Sequence, residues 1–280
     1  MNIIPHPLTG TPFGTALDLC LILGALVWLM TAVTRECSWV DRLWSIAPPV
    51  FCLLVAAAAD FDSARLNLMA ALVTLWGVRL TYNFARKGGY WKGGEDYRWA
   101  FVRAPLSPIQ FQLLNLFFIS IPQMLLLWLF TAPIHQAWVW MDTPLNWLDM
   151  LAAALFLALL LGESVADEQM WAFQQDKKRK IEAGEPVGQP FCNSGLFARS
   201  RHPNYFCEIS MWWVFYLFAI AASGQWLHWS ALGFVLLTAL IVSATRMSEK
   251  ISLGKYPAYA DYQATTPRFV PMPWRGGANG

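Results

Sequence analysis

The chain has 280 residues, 56% of them hydrophobic and 14% charged, with sixteen Trp and a formal net charge of +2. Soluble domains carry about 25% charged residues, so this depletion marks a membrane protein, and without a basic domain nucleic-acid binding is not expected. The five cysteines form neither a Cys-x-x-Cys pair nor a His/Cys cluster, so neither a disulfide framework nor a metal site is expected.

Residues 1–14 are polar, rich in Pro and Gly, and free of Lys and Arg. Lacking a basic n-region, they do not read as a cleavable signal peptide. Apolar stretches long enough to span a membrane follow at 15–33, 43–59, 66–84, 111–130, 147–165, 206–223 and 228–245. The second is short and carries Pro48-Pro49, which predicts a kink or a partly re-entrant start. Trp138 to Trp140 reads as an interfacial aromatic segment rather than a further span. The expected fold is therefore all-α: a polytopic integral membrane protein of seven transmembrane helices, forming a single domain over 1–280 around one core.

Eighteen Lys/Arg fall after the first, third, fifth and seventh stretches, against one on the opposite side. The positive-inside rule then puts the N-terminus outside and the C-terminus in the cytosol. Polar residues gather at that cytosolic side. Asp41 opens the second helix, Arg79 ends the third, and Glu163 with Asp167 end the fifth. Asn204 and Glu208 open the sixth, while Arg246, Glu249 and Lys250 follow the seventh. The connection 166–205 is too long for a turn and is expected to form a loop that covers a cofactor.

The segment Ser194–Glu208, SGLFARSRHPNYFCE, leads into the sixth helix. Pro203 suits a first helical turn, and Asn204 and Glu208 then share a face. Arg199, Arg201 and His202 lie beside the positive helix end, which suits a phosphate; they equally suit interfacial anchoring. Glu163 and Asp167 repeat the four-residue spacing, as partners for ribose or adenine or for Arg79 or Lys177. The run Lys177-Lys178-Arg179-Lys180 serves orientation and attraction to anionic lipid, or reads a 2′-phosphate, a role for which Arg98 competes. No glycine-rich dinucleotide fingerprint follows a strand, so a nicotinamide nucleotide would bind without a Rossmann fold. Asp41 either pairs with Arg42 or Arg79, caps its helix, or acts chemically. Tyr256, Tyr259 and Tyr262 form an interfacial belt or bracket a ligand.

Arg201-His202-Pro203-Asn204-Tyr205-Phe206-Cys207-Glu208 resembles the cofactor motif of the steroid 5α-reductase family, including its bacterial members of the 3-oxo-5-alpha-steroid 4-dehydrogenase type. The likeness runs in order through Ser38-Trp39-Val40-Asp41, Trp76-Gly77-Val78-Arg79, Glu95-Asp96-Tyr97-Arg98 and the tail Tyr256 to Pro271, and so covers most of the chain. The resemblance implies an NADPH-dependent oxidoreductase of the bacterial inner membrane, with its active site open to the cytosol. It would reduce the Δ4 double bond of a 3-oxo-steroid or similar lipophilic enone that enters from the bilayer. Cofactor contacts are implied mainly within 147–271, at Asp167, Lys178, Arg201, His202, Asn204, Tyr205, Glu208, Glu249 and Tyr256, together with Arg98. Asp41 and Tyr82 are implied to hold the substrate carbonyl, with Glu36 the alternative acid.

Arg-His-Pro followed by an aromatic is shared with membrane methyltransferases of the isoprenylcysteine carboxyl type, which use S-adenosylmethionine. That chemistry is the rival expectation. A transporter or receptor is a third class, set back because polar residues crowd one membrane face rather than the midplane.

Overall fold

Lipid offers the backbone no hydrogen-bond partners, so apolar stretches of this length must become helices. The computed structural model describes residues 8–96 and 98–273. Residues 1–7 of the polar N-terminal stretch, Tyr97 of the Glu95–Arg98 motif, and 274–280 lie outside the described residues. Among the described residues every regular element is helical. Seven helical spans are long and apolar enough to cross a membrane: Pro12–Thr34, Trp39–Ala57, Ala64–Arg86, Pro108–Phe130, Trp147–Glu182, Pro203–Ser223 and Trp229–Lys255. They define an all-α integral membrane protein.

The starts of these helices follow local chemistry. Helix α1 (Pro12–Thr34) is capped by Thr11, which accepts from Gly14 N at 3.0 Å, with Pro12 at its first position. The second span is broken into α2 (Trp39–Trp44) and α3 (Ala47–Ala57), with the interruption at Ser45 and Ile46 just ahead of Pro48-Pro49. The kink expected from the two prolines is thus a break, because neither can donate to the preceding turn. Helix α4 (Ala64–Arg86) lies so close to α3 that a Cβ on Gly77 would come within 2.5 Å of Pro49 Cγ and Ser45 O.

A short helix α5 (Arg98–Arg103) precedes the fourth span. That span consists of α6 (Pro108–Leu114), a π-helical turn (Asn115–Ser120) and α7 (Ile121–Phe130). Helix α8 (Pro133–Val139) is a largely buried helix of about two turns rather than a span.

On the polar side the helices run past the apolar stretches. Helix α9 (Trp147–Glu182) continues seventeen residues beyond the expected end at 165. Its exit is held by Asp176 with Lys180 at 2.7 Å and Arg179 at 2.8 Å, and by Lys178 with Glu182 at 3.8 Å. Such three- and four-residue pairs support a helix in water, so most of the expected covering loop is helix and only 183–202 remains as connection. Helix α10 (Pro203–Ser223) begins at the expected proline. Helix α11 (Leu232–Lys255) carries Arg246, Glu249 and Lys250 inside it rather than after it, and α12 (Tyr259–Thr265) follows. Arg79, Glu163 and Asp167 likewise lie within helices that continue beyond them.

The chain divides into two compact units. The first takes Met1–Phe156 and Trp212–Leu237; the second takes Leu157–Met211 and Thr238–Gly280. In the first unit Trp76, fully buried, meets Trp212 edge-on at 5.0 Å, and Phe13 stacks on Trp128 at 4.4 Å. Arg65, 2% exposed, grips Asp149 through two bonds of 2.8 Å and spends its remaining donors on Thr143 O and Pro144 O. Removing one member of such a pair strands a buried charge. Asp149→Asn is expected to destabilise the protein by about 3–5 kcal/mol, read as unfolding in lipid–detergent micelles, and Arg65→Met with Asp149→Leu should recover most of that loss.

Candidate functional site

The second unit holds all the expected cofactor residues except Arg98. Its centre is Glu249 on α11, 2% exposed. Its carboxylate accepts from Arg201 Nε at 2.7 Å, His202 Nε2 at 3.1 Å, Gln263 Nε2 at 3.1 Å and Arg268 Nη2 at 2.9 Å. The backbone makes the same connection. Arg201 N donates to Pro267 O at 2.9 Å, His202 N to Arg268 O at 3.0 Å, and Met272 N to Arg199 O at 2.9 Å. The tail is therefore strapped along residues 199–202, and α10 starts from that strap.

Beyond it, Asn204 Nδ2 reaches Asp167 Oδ1 of α9 at 3.3 Å. A Cβ on Gly162 would meet Cys207 Sγ at 3.1 Å, so glycine permits close approach of α9 and α10 within this unit. Glu163, Asp167 and Glu208 are all buried, at 5%, 4% and 7% exposure. Glu163, Asp167 and Glu208 thus point into protein rather than into lipid or water, and Asn204, half-buried, is turned to Asp167. Acids and an amide in that setting can recognise hydroxyl or amino groups of a ligand that displaces water.

A third group surrounds the start of the tail. Lys177 Nζ donates to Tyr256 Oη at 3.0 Å and lies 4.9 Å from that ring's centre. Burial alone would raise the Tyr256 phenol, but the Lys177 and Lys255 ammonium groups outweigh it and hold the phenol below its usual range. Phe191 stacks on Tyr262 at 5.4 Å and meets Tyr259 edge-on at 5.0 Å, while Tyr205 stacks on His202 at 5.7 Å. Gly195, at φ +59, lets Leu196 N bond Gln169 Oε1 at 2.8 Å where a Cβ would lie 2.5 Å from that same oxygen.

Several expectations are corrected. Lys178 is not part of this group: its side chain is 69% exposed and paired with Glu182, and Lys177, one helical step away, is the residue turned to the tail. Arg201 and His202 do not stand open at a helix end; both are turned to Glu249. In the first unit, Arg98 grips Asp96 with bonds of 2.9 and 2.8 Å. Asp41 accepts from Trp99 Nε1 at 3.1 Å rather than pairing with Arg42, which is taken by Glu36 at 2.9 Å. Tyr82 is 64% exposed, with Arg86 over its ring at 5.3 Å, which is no enclosed place for a developing oxyanion. The tyrosine hydroxyl that does reach α2 is that of Tyr90, bonding Arg42 O at 3.4 Å.

Arg268, Gln263 and Phe191 were missed as site residues, while Lys177 lay in the basic run from which Lys178 was singled out. Arg268 had one signal, a basic residue inside the Tyr256–Pro271 tail. The others had none, since their roles come from side chains meeting across long sequence separations. Among the described residues no three His, Cys, Asp or Glu side chains gather as a metal site.

The fold and these clusters define an integral membrane protein with a buried charged centre at the end of its last span. The chain belongs to the family described as "Protein of unknown function (DUF1295)", which matches residues 27–266. It is 37% identical over 285 residues to an uncharacterized protein of Schizosaccharomyces pombe, covering 97% of this chain and 83% of that protein. No solved structure matches it.

The strap predicts its own dependence. Glu249→Gln keeps the shape but leaves Arg201 without its counter-charge in a buried place, and is expected to cost about 3–5 kcal/mol. Limited proteolysis should then cut within 256–273, while Arg268→Met, removing a partly exposed partner, should leave the tail protected. Equal protection in wild type and Glu249→Gln would contradict this role.

Proposed function

We propose that the protein is an NADPH-dependent reductase of an activated carbon–carbon double bond in a lipophilic enone. The observation that carries this reading is the company kept in one unit. Two arginines and a lysine, a set of buried hydroxyl-reading groups, and several aromatic rings converge there. A phosphorylated dinucleotide needs those three kinds of contact. Arg201 and Arg268 against Glu249 leave one positive charge in excess, a local field that draws phosphate. S-adenosylmethionine carries no phosphate and offers that excess a single carboxylate, a poorer match than a phosphorylated dinucleotide.

Asp167, Asn204 and Glu208 would take ribose or amide groups, Arg268 and Lys177 the phosphates, and Tyr205 and Tyr256 the ring faces. When bound, the dinucleotide supplies a hydride. The residues of the chain do the rest: they exclude water, orient both reactants and meet the charge that develops on the enone oxygen. Asp41 is the proposed donor to that oxygen. Its carboxyl is fixed by Trp99 and, once protonated, presents an O–H while still accepting from the indole. Tyr82, given its exposure, drops to a secondary candidate. The excess of Lys and Arg at one side orients the N-terminus outside and the Glu249 centre toward the cytosol.

The first test is ligand choice. NADPH should raise the melting temperature of detergent-solubilised protein by mass action, and S-adenosylmethionine should not; stabilisation by S-adenosylmethionine alone would end the reductase reading. Glu208→Gln should weaken NADPH by roughly tenfold to a hundredfold, the equivalent of about 1.5–3 kcal/mol for a hydrogen bond to a charged group. For Asp41→Ala, turnover of progesterone should fall by about a hundredfold or more while NADPH affinity holds, with Asp41→Asn less impaired. A stable Asp41→Ala protein with normal turnover would move the role to Glu36.

A further inference from the structure

Helices α3 and α4 meet closely at Gly77. Toward the start of α4 an open groove of about 440 Å³ lies beside them, walled by Leu53 of α3 and by Ala71, Thr74 and Val78 of α4. That volume is within the usual range of ligand sites, about 300–1,000 Å³. Thr74 turns its hydroxyl back to Ala70 O at 2.7 Å, so the wall is apolar. Leu53 and Val78 are 40% and 63% exposed. On two membrane spans such exposure opens the groove to lipid.

One end of the groove is lined by Phe61 and Asn67, at the turn 58–63 that joins the two helices. This turn carries Asp60 and Asp62, both exposed, and no Lys or Arg. The positive-inside orientation sets it at the outer surface. Asp60 and Phe61 hold left-handed backbone, at φ +50 and +58. An Asp tolerates that; a bulky Phe adopts it only under constraint, and such strain recurs at ligand clamps. Asn67 Nδ2 donates to Phe61 O at 2.5 Å, and Asn67 Oδ1 is left buried and without a donor. Helix α4 starts here with no side-chain cap, because Ser63 makes no such bond. Its positive end is therefore open to an anion.

We propose that this groove holds an outer-leaflet phospholipid whose headgroup carries a primary ammonium. The phosphate lies at the uncapped start of α4, the ammonium between Asp60 and Asp62, and an acyl chain fills the groove past Phe61. The charge pattern selects this occupant. An anionic lipid would bring net negative charge to two acids, and a choline headgroup brings a cation with no N–H. A primary ammonium has three donors, enough for both carboxylates and Asn67 Oδ1. The inference does not rest on the reductase reading. The groove belongs to the first unit, and its test uses no nucleotide and no reducible double bond.

The detergent-solubilised protein is mixed with equal amounts of phosphatidylethanolamine, its N-methyl and N,N-dimethyl forms, and phosphatidylcholine, all with the same acyl chains. Native mass spectrometry then counts the lipid retained. Wild type should prefer phosphatidylethanolamine over phosphatidylcholine by roughly tenfold or more, as for a hydrogen bond to a charged group, with retention falling as each N–H is replaced. Asp60→Asn with Asp62→Ala should lose most of that preference, and Asn at 60 keeps the left-handed turn. Ala71→Phe, at an exposed position, should fill the groove and retain neither lipid while melting as wild type does in phosphatidylcholine. Equal retention of the four lipids by wild type overturns the proposal. So does an undiminished preference in the acid variant, or displacement of phosphatidylethanolamine by phosphatidylglycerol. A wild-type dimer that Ala71→Phe converts to monomer would give the groove to a second copy of the chain instead. Should Ala71→Phe fail to fold, the methylation series and the acid variant still decide.

Discussion

A carboxylate held almost entirely out of water persists only where cations and donors meet it, and Glu249 in the second unit is met by four groups. Arg201, His202, Gln263 and Arg268 meet it from the segment before α10 and from the tail. Each of those groups would carry an uncompensated desolvation cost alone; together they are stable only in one arrangement. That arrangement sets where residues 199–202 run, hence where Pro203 starts α10, and hence which way Asn204 and Glu208 face. The orientation of Asn204 and Glu208 thus depends on a charge cluster assembled before their helix begins.

The spans were legible because lipid removes every alternative to the helix, leaving hydropathy to decide where they lie. Of their starts, Pro203 was marked in advance by its missing N–H, whereas the first and fourth spans begin ahead of the expected 15 and 111, at Thr11-Pro12 and Ser107-Pro108, where capping oxygens mark the first turn. The polar ends were not legible. Beyond 165 and 245 the composition changes from apolar to charged, which hydropathy reads as an exit from structure. The backbone instead continues as helix to Glu182 and Lys255, because a charged sequence can pair along its own surface in water. The π-helical turn at Asn115 left no mark in composition at all, since it is a choice of hydrogen-bond partner within an apolar run.

The candidate site divides in the same way. Spacing set Glu163 with Asp167 on one face of α9 and Asn204 with Glu208 on one face of α10, because that geometry is local to each helix. Spacing could not reveal that Glu249 and Arg201, forty-eight residues apart, would meet. Nor could a basic run indicate which of its members turns inward. Lys177 rather than Lys178 faces Tyr256 because of helix phase, and phase is fixed by where α9 is anchored, far from the run itself. Asp41 failed to find Arg42 for a comparable reason: on adjacent positions of one helix the two point apart, and Arg42 is drawn to Glu36 and the carbonyl of Gly89.

The Glu249 cluster also separates two arginines that look alike in the sequence. Arg201 spends Nε on the carboxylate and Nη1 on the carbonyls of Gln263 and Thr266, with a side chain 8% exposed. Three of its five N–H donors hold the strap, and its burial keeps the group from an arriving anion. Arg268 bonds the same carboxylate through Nε and Nη2, but its side chain is 31% exposed. A guanidinium has five N–H donors, so Arg268 can keep its grip on Glu249 and still present Nη1 to an arriving anion. Of the two, Arg268 is the more open to an anion, and Arg201 is the one that ties the segment before α10 to the tail. The motif residue that stands out in the sequence thus serves structure, and the unremarked arginine in the tail is the better candidate for recognition.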